Sequence, residues 1–333
     1  MKLPRLQLPG TALEVFPLCL GVAEIGVRGS EEDAFRLLDH FLQRGGNWID
    51  TARIYSDWIP GERHRSERIL GAWLADRGVR DRVVLSTKGC HPPLDDWDRC
   101  CHEPDDVRRE ILGSLETLGT GCIDLWWFHR DDLRVPVGEL VDAVNVHLRK
   151  GEIAAWGVSN WSAARVAAAL EYARTTGQAP PVAVQNFWNL GSRHHKPFSP
   201  QFRMVAMDDA LLALHTRTGL AAVPYSSQAN GFFSKWAEGD GAARAKAESM
   251  PYACPANFRV AEVAAALARR HGVPINAVVL AWLIQHPFPV VPLVGCHDVA
   301  QLDATLDVLG FRLPPEDLAA LAAALRMDEP SPG

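Results

Sequence analysis

In "WIDTARIYSDW", residues 48 to 58, an aspartate closes an apolar run and a tyrosine follows five residues later among polar neighbours. A tyrosine hydroxyl titrates near about 10, too high to exchange protons readily at neutral pH, unless a cation beside the phenolic oxygen stabilises the phenolate. Lys88 in "RVVLSTK" is such a cation, and Asp50 is a carboxylate that would hold it charged and aim it at Tyr55. His129 in "CIDLWWFH" adds an imidazole able to fix an oxygen of a reacting molecule and share in a proton relay. Each residue alone also has an ordinary reading: Asp50 as a salt-bridge partner, Tyr55 as a loop anchor, Lys88 as a snorkelling surface lysine, His129 as a capping histidine. The four make a proton-transfer site only if the fold brings them together.

Eight apolar runs read as strands: "LCLGVA", "GNWIDTA", "RVVLSTK", "CIDLWWFH", "IAAWGVS", "PVAVQN", "GLAAVPYS" and "FPVVPLVG". Amphipathic segments such as "EEDAFRLLDHFLQRG" and "PDDVRREILGSLETLG" alternate with them, several beginning at Ser or Asp and ending at Gly, as helix caps do. Continuous apolar strands alternating with helices imply a parallel sheet, and eight such units close into a (β/α)₈ TIM barrel. The expectation is one α/β domain over residues 1–333: an N-terminal β-hairpin turning at "PGT", a barrel over about 17–308, and an extra C-terminal helix, "PPEDLAALAAAL", within 309–333. The competing open dinucleotide-binding sheet needs a tight G-x-G-x-x-G after its first strand, where this chain has "LGVAEIGVRGS". In a barrel, chemistry gathers at the C-terminal strand ends. There the sequence places Asp50, Tyr55, Lys88, His129, Ser159, Asn160, Gln185, Tyr225 and Gly295, almost all polar.

Composition limits the alternatives. A chain that is 47% hydrophobic and 22% charged has the apolar content for a large core. The net charge of −6 is dispersed, with no basic stretch to track a phosphate backbone, so nucleic acid is not an expected partner. No run is long enough to span a bilayer and "MKLPRLQLPG" lacks a signal-peptide core, which leads to the expectation of a cytoplasmic protein with no membrane partner. Seven cysteines, an odd number, fit a reducing compartment. Cys90, His91, Cys100, Cys101 and His102 in "GCHPPLDDWDRCCH" are the sole candidate metal cluster, and adjacent Cys100 and Cys101 lack the gap that lets paired thiolates share one zinc, so no metal is expected. Metal-dependent hydrolysis in a barrel would need convergent ligands at the strand ends, where only His129 stands. Nothing in the sequence points to an oligomeric state.

The order of these motifs resembles the aldo-keto reductases. "IDTARIYS", "RSERILGAWL", "VVLSTK", "IDLWWFHRDD" and "KGEIAAWGVSNW" match that family's segments at successive strands, from about Leu18 to about Leu306. The resemblance implies that Tyr55 is the general acid, tuned by Lys88 and Asp50, while His129 orients a carbonyl that receives hydride from a nicotinamide. It implies that Ser159, Asn160 and Gln185 bind the carboxamide, that Tyr225 stacks on the nicotinamide, and that "SSQANGF", with Ser226, Ser227, Gln228 and Gly231, runs along the pyrophosphate. NADP(H) is the family default. Here the positions that often carry a basic 2′-phosphate clamp read Gly295, Cys296, His297, Asp298 and Gln301, with no Arg or Lys, so NAD(H) or dual use is open, with Lys235 as a compensating cation. Trp58, His64, Trp161 and Trp188, with Asp57 and Glu62, suggest a small-molecule carbonyl or polyol pocket, for a keto-sugar, aldose or cyclitol, or else for an aromatic aldehyde. A second class of function is a cofactor-binding regulatory or interaction subunit with little turnover.

Overall fold

A computed structural model describes residues 3–237 and 239–326. The hairpin forms where expected. Strands β1 (Leu6–Gln7) and β2 (Glu14–Val15) pair antiparallel, and Gly10 at φ +74° supplies the left-handed turn residue of "PGT".

All eight candidate strands form: β3 (Cys19–Gly21), β4 (Trp48–Asp50), β5 (Val84–Gly89), β6 (Leu125–Phe128), β7 (Trp156–Ser159), β8 (Ala183–Gln185), β9 (Ala221–Ala222) and β10 (Leu293–Val294). They lie parallel in the order β10-β3-β4-β5-β6-β7-β8-β9. The ring closes through residues 289–294. On one side Ala222 N donates to Pro289 O and Val291 N to Ala222 O, each at 2.9 Å; on the other, Cys19 N donates to Pro292 O at 2.9 Å. The fold is a (β/α)₈ barrel. The last two strands are shorter than their apolar runs because prolines at 224, 289 and 292 offer no N–H to a ladder.

The expected helices are α1 (Glu31–Gln43), α2 (Arg65–Arg77), α3 (Pro104–Leu118), α4 (Val137–Arg149), α5 (Ala163–Thr176), α6 (Asp209–Thr218), α9 (Pro255–His271) and α12 (Pro315–Arg326). Four more carry no clear signal in the sequence: α7 (Phe232–Ala237), α8 (Gly241–Glu248), α10 (Ile275–Ile284) and α11 (Val299–Leu306). Helix α12 packs on α9, and the tail expected beyond it lies outside the described residues. No helix among the described residues is long and apolar enough to cross a membrane.

Strand alternation divides the core in two. Cys19, Trp48, Val84, Leu125, Trp127, Ala183, Ala221 and Val223 fill the barrel, with Leu8 and Val15 of the hairpin packed into the same cluster. Their neighbours Leu20, Ile49, Leu85, Trp126, Phe128 and Val158 face the helices. Two residues further along each inward row stand Asp50, Ser86 and then Lys88, His129, Gln185 and Tyr225, so the period of two that fills the barrel also fixes what caps it.

Candidate active site

At that cap the structure brings Asp50, Tyr55, Lys88 and His129 together. Lys88 Nζ is ion-paired with Asp50 and donates to the carbonyl oxygen of Thr51 at 2.8 Å, both charged side chains being 1% exposed. The other carboxylate oxygen, Asp50 Oδ1, accepts from Ser86 Oγ at 2.7 Å and Gln185 Nε2 at 3.4 Å. Burial works against the charge on Lys88, but attraction to Asp50 and Tyr55 outweighs it and holds the ammonium above the usual lysine range. That ammonium stands 4.8 Å from the centre of the Tyr55 ring, and the Tyr55 ring meets His129 edge-on with centroids 5.5 Å apart. Burial, then the neighbouring His91, Arg130 and Lys88, drive the His129 pKa well down, so its imidazole is neutral at physiological pH. Its Nδ1 is buried without a hydrogen-bond partner.

Tyr55 rides on the β4–α2 loop, which "RSERILG" ties down. Ser66 Oγ donates to Val22 O and meets Thr51 Oγ1, both at 2.7 Å, while Thr87 Oγ1 donates to the buried Glu67 at 2.6 Å. Asp57 accepts from His64 N at 2.6 Å, and His64 Nδ1 bonds Arg53 O at 2.8 Å. Glu62 pairs with Arg65 and Arg68. Asp57, Glu62 and His64, expected to meet a substrate, are thus engaged in bracing the loop. Trp58 is 48% exposed with its ring 6.4 Å from that of Tyr55 and remains a candidate wall. The other two tryptophans are buried in the outer core: Trp161 is 0% exposed, and Trp188 packs against Trp282, His286 and Phe288.

A cleft of about 1340 Å³ runs from Tyr55 and His129 past Ser159, Gln185, Tyr225, Ser226, Ser227, Gln228 and Gly231 to Gly295, His297 and Gln301. Every expected cofactor residue lines it except Asn160. Asn160 sits behind, at φ +61°, accepting from Tyr225 Oη at 2.7 Å and donating to His129 O at 3.2 Å. The far end holds a residue that sequence reasoning misses. Arg28, from the β3–α1 loop, lies 3.4 Å from His297 Nε2 and 3.2 Å from Glu24. Its place beside a residue 269 positions away leaves no local sequence signal. Asp298, whose charge would oppose a phosphate, instead caps α11 through Gln301 N at 2.8 Å. Lys235 also lines the cleft, donating to Asn230 O at 2.8 Å. The volume, and polar groups distributed from end to end, fit a dinucleotide.

The cysteine-bearing β5–α3 loop reaches the site through His91. His91 meets His129 and Trp97 edge-on at 4.8 and 4.9 Å, and Trp97 meets Phe202 at 5.1 Å, an aromatic wall absent from the sequence-based candidates. Burial drives the His91 pKa down to about 3. All seven cysteines are free thiols, and among the described residues no group of three or more His, Cys, Asp or Glu is gathered to hold a metal.

Comparison with known proteins places this geometry in context. Residues 17–326 match the model of the aldo/keto reductase family. The chain is 30% identical to norsolorinic acid reductase B of Aspergillus parasiticus, over 96% of this chain and 83% of that protein. It is 28% identical to aryl-alcohol dehydrogenase GME11368 of Pestalotiopsis microspora, over 97% and 82%. Among solved structures, a thermostable aldo-keto reductase, Tm1743, in complex with the inhibitor epalrestat, superposes with a TM-score of 0.72 at 23% identity, covering 97% of this chain and all of that one, a likeness of fold.

Proposed function

The chain belongs to the aldo/keto reductase family of oxidoreductases, and on that premise we propose that it interconverts an aromatic carbonyl compound and its alcohol with a nicotinamide cofactor, Tyr55 serving as the acid and base. The observation that carries the reading is the Lys88–Asp50 pair, buried at 1% exposure beneath the Tyr55 ring at the head of a dinucleotide-sized cleft. When bound, the nicotinamide supplies or accepts hydride at the carbonyl carbon. The protein's part is the proton. Tyr55 donates it to the carbonyl oxygen, and the Lys88 ammonium, held by Asp50, stabilises the phenolate left behind. Neutral His129 donates one N–H to the same oxygen and so orients it.

Ser159, Gln185 and Tyr225 are the groups we assign to the nicotinamide end, with Asn160 acting by holding the Tyr225 hydroxyl. Ser226 to Gly231 serve the pyrophosphate. Residues 17–308 act in this reading as one barrel domain. The family generally uses NAD(P)H; Arg28 with His297 is the basic pair available for a 2′-phosphate, opposed by Glu24, which favours acceptance of both cofactors with NADPH ahead.

An aromatic substrate is favoured over a sugar because Trp58, His91, Trp97 and Phe202 offer ring faces and edges around the mouth, whereas the carboxylates expected to bind hydroxyls are consumed in bracing the Tyr55 loop. The names of the relatives, a norsolorinic acid reductase and an aryl-alcohol dehydrogenase, agree with that choice. The test is Tyr55→Phe assayed on aromatic aldehydes. Turnover is expected to fall by about 10²- to 10⁴-fold, the usual contribution of a positioned acid, with cofactor affinity by tryptophan fluorescence unchanged. Near-normal rates would reject Tyr55 as the acid. Tight cofactor retention without turnover across aromatic and sugar panels would support the regulatory-subunit reading instead.

A further inference from the structure

The cleft contains a cation to which the chemistry above gives no contact with substrate, only a share in keeping His129 neutral. Arg130 follows His129 at the end of β6 and lines the cleft beside Tyr55, His129, Met204 and Tyr225. Its Nη1 donates to the carbonyl oxygen of His129 at 3.1 Å, and its Nε is buried with no hydrogen-bond partner. The two aspartates next in sequence do not neutralise it: Asp131 is paired with Arg165 at 3.1 Å, and Asp132 with Arg134 at 2.5 Å and Arg203 at 3.7 Å. Burial lowers its pKa, and the groups that work against this are the phenols of Tyr225 and Tyr55, not a carboxylate. A guanidinium nevertheless stays protonated in proteins. The main chain beneath it is fixed, since Arg130 O accepts from His102 Nε2 at 2.9 Å and Trp161 Nε1 at 3.4 Å.

A half-buried guanidinium whose Nε is buried without a partner and which has no carboxylate beside it is poorly compensated by the protein alone, and a ligand's anion in the cleft would complete it. A planar fork of N–H donors suits a carboxylate, which it grips through two parallel bonds. We infer that Arg130 anchors a carboxylate on the carbonyl substrate, so that the substrates are aromatic aldehydo or keto acids. In this reading the carbonyl lies at Tyr55 and His129, the aromatic ring toward His91, which meets His129 edge-on, and the carboxylate at Arg130. This rests on the carbonyl-reducing reading of the same cleft and narrows its substrate class.

The test compares 2-, 3- and 4-carboxybenzaldehyde with their methyl esters in wild type, Arg130→Met and Arg130→Lys. In wild type at least one acid is expected to exceed its ester in kcat/KM by about tenfold or more, the worth of a charge-assisted hydrogen bond. Arg130→Met should bring the acid-to-ester ratio close to one, whatever its effect on overall turnover through His129, with cofactor affinity little changed, while Arg130→Lys, which keeps the charge and loses the fork, gives a ratio between the two. An acid-to-ester ratio near one in wild type, or a ratio that Arg130→Met leaves intact, overturns the inference while the carbonyl-reducing reading stands. So does loss of acid and ester turnover together with cofactor binding, which would mark Arg130 as a structural residue. If wild type reduces none of these with either nicotinamide cofactor, that broader reading fails by itself. The anchor is then read from tryptophan fluorescence with benzoate and benzamide: benzoate binding that Arg130→Met abolishes upholds it, and no binding overturns it.

Discussion

Lys88 keeps a long cationic side chain almost wholly out of water, and Asp50 is the ion-pair partner that makes the arrangement stable. Lys88→Met leaves a buried carboxylate without its counter-charge and is expected to destabilise the protein by about 3–5 kcal/mol, seen as a lower urea midpoint at unchanged slope. The Asp50→Asn, Lys88→Met pair should recover most of that stability and none of the turnover. Recovery of activity with stability would show the two residues to be scaffold alone. Both positions are legible in the sequence because a strand's period of two carries the inward row from Trp48 to Asp50 and from Val84 through Ser86 to Lys88. The roles of Trp161 and Trp188 are not: a tryptophan just past a strand end has the same sequence whether it lines a pocket or enters the outer core, and here the helices cover both. Arg28 and Arg130 escape for another reason, since what distinguishes each is the neighbour it has or lacks in space.

The strands are readable in number and order because each apolar run is bounded by polar or Gly-containing turns. The helices that escape lack the signal that marks the others. Helix α10, "INAVVLAWLI", is apolar on all sides because it is buried on most of them, and so shows no amphipathic period; α7, α8 and α11 have at most eight residues. Inside the barrel, β6 and β7 fit by pairing size with absence of size. Trp127 lies opposite Gly157, where a Cβ would come within 2.5 Å of the indole and 2.8 Å of Ala183 O. Gly157→Ala is expected to cost about 1–3 kcal/mol by overpacking, measured by denaturant unfolding. Adding Trp127→Phe should return part of that loss. Simple additivity of the two substitutions would rule out their proposed coupling.

Over the whole molecule, the cleft joins parts of the chain that are distant in sequence, and its selectivity belongs to that assembly. Arg28 from the first βα loop meets His297 after the last strand at the end of the cleft remote from Tyr55. Arg28→Ala is expected to weaken NADPH binding by about five- to tenfold, the scale of one exposed charge-assisted contact, and to leave NADH binding unchanged. Equal effects on both cofactors would place the 2′-phosphate elsewhere. At the opposite pole, the hairpin enters the barrel floor: Leu8 and Val15 are fully buried among the starts of the strands, and Asn47 bonds Phe16 N at 2.7 Å and Glu14 O at 2.9 Å. The hairpin therefore occupies the face away from the cleft. A tether attached at the exposed hairpin turn around Gly10 would hold the molecule to a bead or electrode with its mouth directed into solution, where small molecules exchange freely.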